Sequence, residues 1–320
     1  MGYGQSGHLA VCFQSSFGTT KTNSQFFIPL VSESIAETIE TLVENNMYSR
    51  LAESPVHEGA HEIGGEIRTE AHPIYLGTFL KAALGQSSVT AQGSAFRHEF
   101  LPVSQDWDNY AAVPPLSVEI HRDTGSAFLY YDLLANALSL EISHGQLLSA
   151  SMEVIGGQFQ QKAPGTAVFK PGRPWAWDVA SISHGGTAQP DIRSLLVRFE
   201  NQLAAQHTIS GRKTPHRIKR SGPQKVTLEG SFLFENQQLF QDFMQQTENR
   251  FLLTLNGEAV SSGYNAQLVI DLPRLRFQEL TPQLTGTGAL EAGFTATGVF
   301  DTTSGYALRV TLVNTQPAYL

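Results

Sequence analysis

The sequence predicts a mainly β fold: two tandem β-sandwich or barrel domains, each with a short flanking α-helix and a long loop. Three observations predict it. Short runs of alternating apolar and polar residues, separated by polar turns, recur along most of the 320 residues, which is the spacing of a sandwich or barrel. Few segments carry helical spacing. The order strand, break, amphipathic segment occurs twice, once in each half.

Taken in order, Ser34–Asn45 fits a helix or a strand, with Ser34 and Glu37 spaced as a capping box. Tyr48–Ile63 reads as a long polar loop, and Ile67 lies in the strand after it. Pro73–Leu84 is a helix, apolar at Ile74, Leu76, Phe79, Leu80, Ala83 and Leu84. Pro73 suits its start and Gly85 its stop. Leu116–Ile120 and Phe128–Tyr131 read as strands. Leu138, Leu140 and Ile142 alternate with polar residues, turn at His144-Gly145, and return through Ala150, Met152 and Val154, a hairpin with one buried face. The second half offers strands at Leu195–Phe199, Val226–Leu228, Phe232–Phe234, Phe251–Leu255, Gln267–Asp271, Arg274–Phe277, Ala289–Ala296 and Leu308–Leu312. A second helix covers Asn236–Gln246, and a second long loop Thr208–Gln224.

One offset superposes Gly65 on Gly230, Ile67 on Phe232, Ile74 on Leu239, Tyr75 on Phe240 and Phe79 on Met244. Such a long repeat implies a duplicated domain rather than a solenoid. The boundary is expected in Gln160–Pro174, rich in Pro and Gly, giving domains 1–165 and 166–320.

Charged residues make up 16% of the chain and apolar residues 41%, with a net charge of −8. That composition excludes a disordered chain, and the acidic total argues against a protein that grips nucleic acid. The halves differ: residues 1–160 hold six basic and 17 acidic side chains (−11), and residues 161–320 hold 15 and 12 (+3). A single cysteine, Cys12, excludes an intramolecular disulfide; beside Val11 and Phe13 it reads as a small buried hydrophobe. Neither a leader peptide nor a membrane span is expected, and the chain should fold in a reducing cytoplasm.

The string His57-Glu58-Gly59-Ala60-His61 matches H-E-x-x-H, and Gly64 extends the match. In a zinc metallopeptidase that spacing works on a helix, where both imidazoles share a face. Pro55, Gly59, Gly64 and Gly65 surround it here, and Ile67 stands where a third histidine belongs. The reading is a loop running into a strand, with zinc chemistry as the enzyme alternative. His72 reads as a solvated or capping histidine, and Glu66 and Glu70 as solvated neighbours on one sheet face. There is no phosphate-binding loop; Gly286-Thr287-Gly288 merely precedes a strand. Trp107, Trp175 and Trp177 read as core or interface anchors.

The two long loops are opposite in sign. Glu53, Glu58 and Glu62, with Arg50 near the start, lie in the first; Arg212, Lys213, Arg217, Lys219 and Arg220 lie in the second. Without interleaved aromatics the second is a poor nucleic-acid patch. It reads as a solvated loop or as a contact with the acidic loop of another subunit.

Two stretches carry a family resemblance. Glu58–Gly85, EGAHEIGGEIRTEAHPIYLGTFLKAALG, runs from an extended segment through a Gly-containing strand to a helix ending in Leu-Gly. Tyr130–Gly157, YYDLLANALSLEISHGQLLSASMEVIGG, is a hairpin ending in a Gly-rich strand. Together they resemble the tail tube protein of long-tailed bacteriophages, although Asp132-Leu133 stands where that family often has Gly. The resemblance implies a structural, non-enzymatic virion protein with no cofactor. It implies assembly in the host cytoplasm into stacked rings that form the tail tube, with genomic DNA only in passage and no membrane. Its partners are copies of itself, a tape measure protein, and tail terminator and tip proteins. A duplicated chain implies homotrimeric, pseudo-sixfold rings, with Glu53, Glu58, Glu62, Arg212, Lys213, Arg217, Lys219 and Arg220 as candidate contacts between rings. The alternatives are another tail or head-to-tail connector component, the zinc metallopeptidase, and a carbohydrate-binding sandwich, which lacks clustered aromatics.

Overall fold

A computed structural model describes residues 3–19, 26–47, 52–103, 113–235, 238–283 and 290–319. The first half contains β1 (His8–Phe13), β2 (Phe26–Ile28), β3 (Ser32–Glu33), β4 (Ala36–Val43), β5 (Val56–Glu70), α1 (Leu76–Leu84), β6 (Gly85–Gln92), β7 (Ala95–Pro102), β8 (Leu116–His121), β9 (Ala127–Ser143), β10 (Ser149–Gly156) and β11 (Gln158–Lys162). The second contains β12 (Ala180–His184), β13 (Thr187–Ala188), β14 (Ile192–Glu200), β15 (Leu203–Gln206), β16 (Arg217–Arg220), β17 (Lys225–Leu233), α2 (Gln238–Gln245), β18 (Asn249–Ser261), β19 (Tyr264–Gln283), β20 (Glu291–Gly298) and β21 (Arg309–Asn314).

The main sheet is antiparallel in the order β4-β5-β10-β9-β14-β17-β20-β19. Strict alternation builds it. Along β10 every second residue is buried, and along β14 Leu195, Val197 and Phe199 point inward; one face meets the core while the other stays polar. The first part of β19 continues into β18 and β21, and β21 pairs with β7 of the first half. One hydrophobic core therefore runs through both halves. Helix α1 is enclosed by it, with only Lys81 not fully buried, whereas α2 buries only Leu239 and Asp242.

Strand β9 serves two sheets. Its last residues lie in the main sheet, while its first residues join β8 and β11 in a smaller layer with β1 and β2. The change of direction falls at Asp132, whose φ is +58°. Asp tolerates that left-handed region better than most side chains. The buried carboxylate accepts from Gly18 N (2.7 Å) and Gln14 Nε2 (3.0 Å), and Gln14 Oε1 accepts from Asp132 N (2.8 Å). The departure from Gly at this position thus keeps the required backbone and gains an anchor for the N-terminal segment.

Two glycines sit at close crossings. A Cβ on Gly65 would lie 2.5 Å from the Ser34 carbonyl oxygen, and a Cβ on Gly230 would lie 2.6 Å from that of Ser194. Any side chain at either place would push the neighbouring strand away.

Several boundaries differ from the sequence reading. Of the two readings of Ser34–Asn45 the strand holds, over Ala36–Val43: Ser34 Oγ accepts from Glu66 N (3.0 Å) instead of capping, and β4 pairs with β5. The supposed loop Tyr48–Ile63 is strand from Val56, and Thr208–Gln224 contains β16. Both are ribbons whose polar faces leave no apolar period to read. Val226–Leu228 and Phe232–Phe234 are one strand through Gly230, and Gln267–Asp271 and Arg274–Phe277 are one strand through Pro273. Gln160–Pro174 begins inside β11 and continues as coil. Arg50, Trp107 and Gly286-Thr287-Gly288 lie outside the described residues, as do the first residues of the Tyr48–Ile63, Asn236–Gln246 and Ala289–Ala296 segments.

Candidate functional site

The main sheet ends in two open edges. Strand β4 pairs with β5 on one side and, among the described residues, with no strand on the other. The last part of β19, from Arg276 to Gln283, pairs with β20 and, among the described residues, has no strand on its far side. Unpaired backbone donors and acceptors at such edges are templates for another chain. Between them, β9 and β14 join the halves through seven residue pairs, from Ser143–Ser194 to Ala137–Glu200.

The polar face of this sheet is organised in rows across the strands, because residues opposite one another share a face. Arg68, Ser151, Ser139, Arg198, Thr227 and Thr297 form one row; Glu70, Ser149, Glu141, Leu196, Glu229, Thr295 and Glu279 form the next. A shallow depression of about 460 Å³ lies over Glu141, Ser194, Glu229, Ser231 and Glu279. Hydroxyls and carboxylates dominate this face.

At one end of the sheet two ribbons meet. The hairpin of β4 and the start of β5 is acidic and largely exposed. The β15–β16 ribbon, with its connecting loop, is basic. Lys213 Nζ pairs with Glu58 Oε2, His207 Nε2 lies 2.9 Å from Glu62 Oε1, and Lys213 O accepts from His61 N (2.9 Å). The Lys213 ammonium holds the Glu58 carboxyl below its ordinary range. His61 Nδ1 lies 2.9 Å from Glu37, its Nε2 lies 2.7 Å from Glu58, and His57 is 2.6 Å from Glu44. Opposite loop charges, expected between subunits, thus already meet within one chain through Glu58, Glu62 and Lys213.

The remaining predicted residues divide. Glu53, Arg212 and Arg217 are exposed; Arg217 donates to Gln206 (2.7 Å). Lys219 is half-buried. Arg220 is turned inward onto Asn201 (2.9 and 3.0 Å), where burial lowers its pKa, so it is an internal anchor. Sequence reasoning missed Glu37, Glu44, His61 and His207 as partners in this contact, and Arg198 with its carboxylates. The parity of Ser194, Leu196, Arg198 and Glu200 against Leu195, Val197 and Phe199 was the available signal for the latter.

The H-E-x-x-H string lies on β5. Residues four apart on an extended strand stand about 13 Å apart, and here a register shift in the ladder lies between them, an arrangement unlike the helical turn that lets two imidazoles hold one zinc ion. Among the described residues no group of three or more His, Cys, Asp or Glu side chains is arranged to hold a metal. Likewise His72 is buried rather than solvated, its Nδ1 accepting from Ile74 N (3.1 Å). Cys12 and Trp175 are buried, and Trp177 is exposed against His144.

A family model described as phage tail tube protein matches residues 4–309, nearly the whole chain. The chain belongs to the phage tail tube protein family. This tail tube chain is accordingly structural and not an enzyme, its place is the virion tail, and its family associates into a tube. A search of curated proteins gives no significant match. Among the described residues no helix is long and apolar enough to cross a membrane.

Proposed function

We propose that three copies of this chain close into a pseudo-sixfold ring, and that such rings stack into the tube through which the genome passes. Two tandem units, 1–165 and 166–320, underlie the ring. The strand order β4-β5-β10-β9 is matched by β14-β17-β20-β19, and the Ser34–Gly65 crossing by Ser194–Gly230. The observation that carries the reading is the β9–β14 joint. It is the contact one unit makes with the next, and it leaves the corresponding edges, β19 and β4, open for neighbouring chains. Closing the ring removes both edges.

In this ring the Ser, Thr and Glu face of the main sheet lines the bore, and its acidic surplus repels the phosphates of passing DNA. The exposed ends of the two ribbons, including Glu53, Arg212 and Arg217, reach the neighbouring ring. A tape measure protein occupies the bore before DNA does, and terminator and tip proteins cap the ends.

Electron microscopy of the concentrated full chain tests the ring. Tubes with three chains per ring are expected, and six chains per ring would overturn the use made of the two units. Proline at Thr38 and, separately, at Ile39 tests the edge. Successive strand amides point to opposite sides, so one of the two variants loses an outward N–H and should stop polymerising while remaining folded. Normal tubes from both would remove β4 from the joint.

A further inference from the structure

We propose that carboxylate partners clamp Arg68, Arg193 and Arg198 on the polar sheet face, so that these guanidiniums are withheld from a passing phosphate. The proposal rests on the lumenal reading above.

Arg198 has all three guanidinium nitrogens engaged. Nη2 lies 2.9 Å from Glu153 Oε1, Nε lies 3.2 Å from Glu200 Oε1, and Nη1 donates to Ser139 Oγ (3.2 Å). Arg68 donates from Nε to Ser149 Oγ (3.1 Å) and places Nη2 at 3.5 Å from Glu141. Arg193 Nη1 lies 2.5 Å from Glu291. Arg276, opposite Thr297 on the last strand, is exposed and lacks a carboxylate partner; its Nε donates to Gln246 Oε1 (3.1 Å).

These pairs are a third to a half exposed, and pairs of that exposure add little to fold stability. Their arrangement has a clearer consequence for binding. An unpaired guanidinium is the group best fitted to grip a phosphate in two-point fashion. Repeated in every ring, free arginines would multiply along the length of the DNA. A carboxylate on Arg68, Arg193 and Arg198 occupies their donors and offsets their positive charge. On the same face Glu66, Glu70, Glu229 and Glu279 are exposed and, among the described residues, have no cation within ion-pair distance. The wall therefore keeps Arg68, Arg193 and Arg198 for sheet cross-links and shows the DNA mainly hydroxyls and surplus acid there, with Lys225 and Arg276 as its exposed cations.

The test uses tubes polymerised from the full chain, a short fluorescent DNA duplex and co-sedimentation at 50 and 200 mM salt, with tube integrity checked by microscopy. The native tubes should leave the duplex in the supernatant. E153A/E200A, which frees Arg198, should carry it into the pellet at 50 mM salt and lose about tenfold of that affinity at 200 mM, the dependence expected for about two phosphate contacts. E141A, which frees Arg68, tests the same idea at an independent position. S151R places an unclamped cation in the same row. Retention by S151R but by neither alanine variant overturns the clamp and leaves the lumenal assignment standing. Retention by none of the three overturns both.

Discussion

The two ribbons at the end of the main sheet occupy matching places in the strand order, yet they are built differently. The β4–β5 hairpin continues its ladder outward, exposed on both faces, with Ile39, Leu42, Val43 and Val56 in solvent. The β15–β16 ribbon turns away from its ladder immediately after Glu200. Gln202 takes φ +54°, and Asn201, fully buried, donates to Ala83 O (2.7 Å) and Ala135 O (2.9 Å) while its Oδ1 accepts from Arg220 (2.9 Å). A small core of Val113, Leu134 and Ile218, flanked by Leu203 and Ile155, pins the ribbon down. The first ribbon is therefore a reaching element and the second an anchored one. Sequence at the base of the ribbon decides which: a buried amide and an inward arginine in one, a ladder that continues outward past one register shift in the other.

The sharpest way to break this difference is Asn201→Ala. It leaves two buried carbonyls and the Arg220 guanidinium short of partners, and each orphaned group costs about 1–3 kcal/mol. We expect a loss of roughly 3 kcal/mol in denaturant unfolding, with the amides of β15 and β16 losing hydrogen-exchange protection before the rest. A variant of unchanged midpoint would show that the ribbon is held by its small apolar core alone.

Legibility followed the same division. The hairpin from Leu138 to Val154 was readable because one face is buried and the other is not, so period two is written into it. Helix α1 was readable from its apolar spacing and Gly85. The two ribbons were not, because neither face of β4 is buried and no apolar rhythm survives. Strand β1 is buried at every position and shows no alternation at all. Pro273 and Gly230 were taken as breaks, whereas the surrounding ladders carry both residues. For the site, the sign of each ribbon was legible, but the partners were not. Glu37, Glu44, His61 and His207 meet only through the fold, and no spacing along the chain announces them.

A second variant sharpens the comparison at the exposed tips. Arg212 and Arg217 are exposed, unlike Arg220, which serves the interior. R212E/R217E should leave the unfolding midpoint within about 0.5 kcal/mol of the native chain, as for other surface substitutions. It should raise the concentration needed for tube growth by roughly tenfold, the scale of lost charge complementarity at a contact. Light scattering against concentration measures this. Tube growth at the native concentration would confine the basic ribbon to its own chain.

The smallest effect lies where the two ribbons touch. Glu58 is half exposed, and its carboxyl is held below the ordinary value of 4.5, first by the hydrogen bond from Lys213. A depressed carboxyl contributes its contact fully above the unfolded value and loses it as pH falls through the folded one. The Lys213–Glu58 contact should thus be complete at neutral pH and weaken only below about 4.5, in the direction of the shift. The reporter is the His61 amide, which donates to Lys213 O. Its exchange protection should drop in that acid window while the main-sheet amides of β10 and β14 hold theirs. In Lys213→Ala the His61 amide should be less protected at neutral pH and should lose the acid step. If the step persists in that variant, the two ribbons are coupled through the backbone bond from His61 to Lys213 O rather than through the Lys213–Glu58 charge pair.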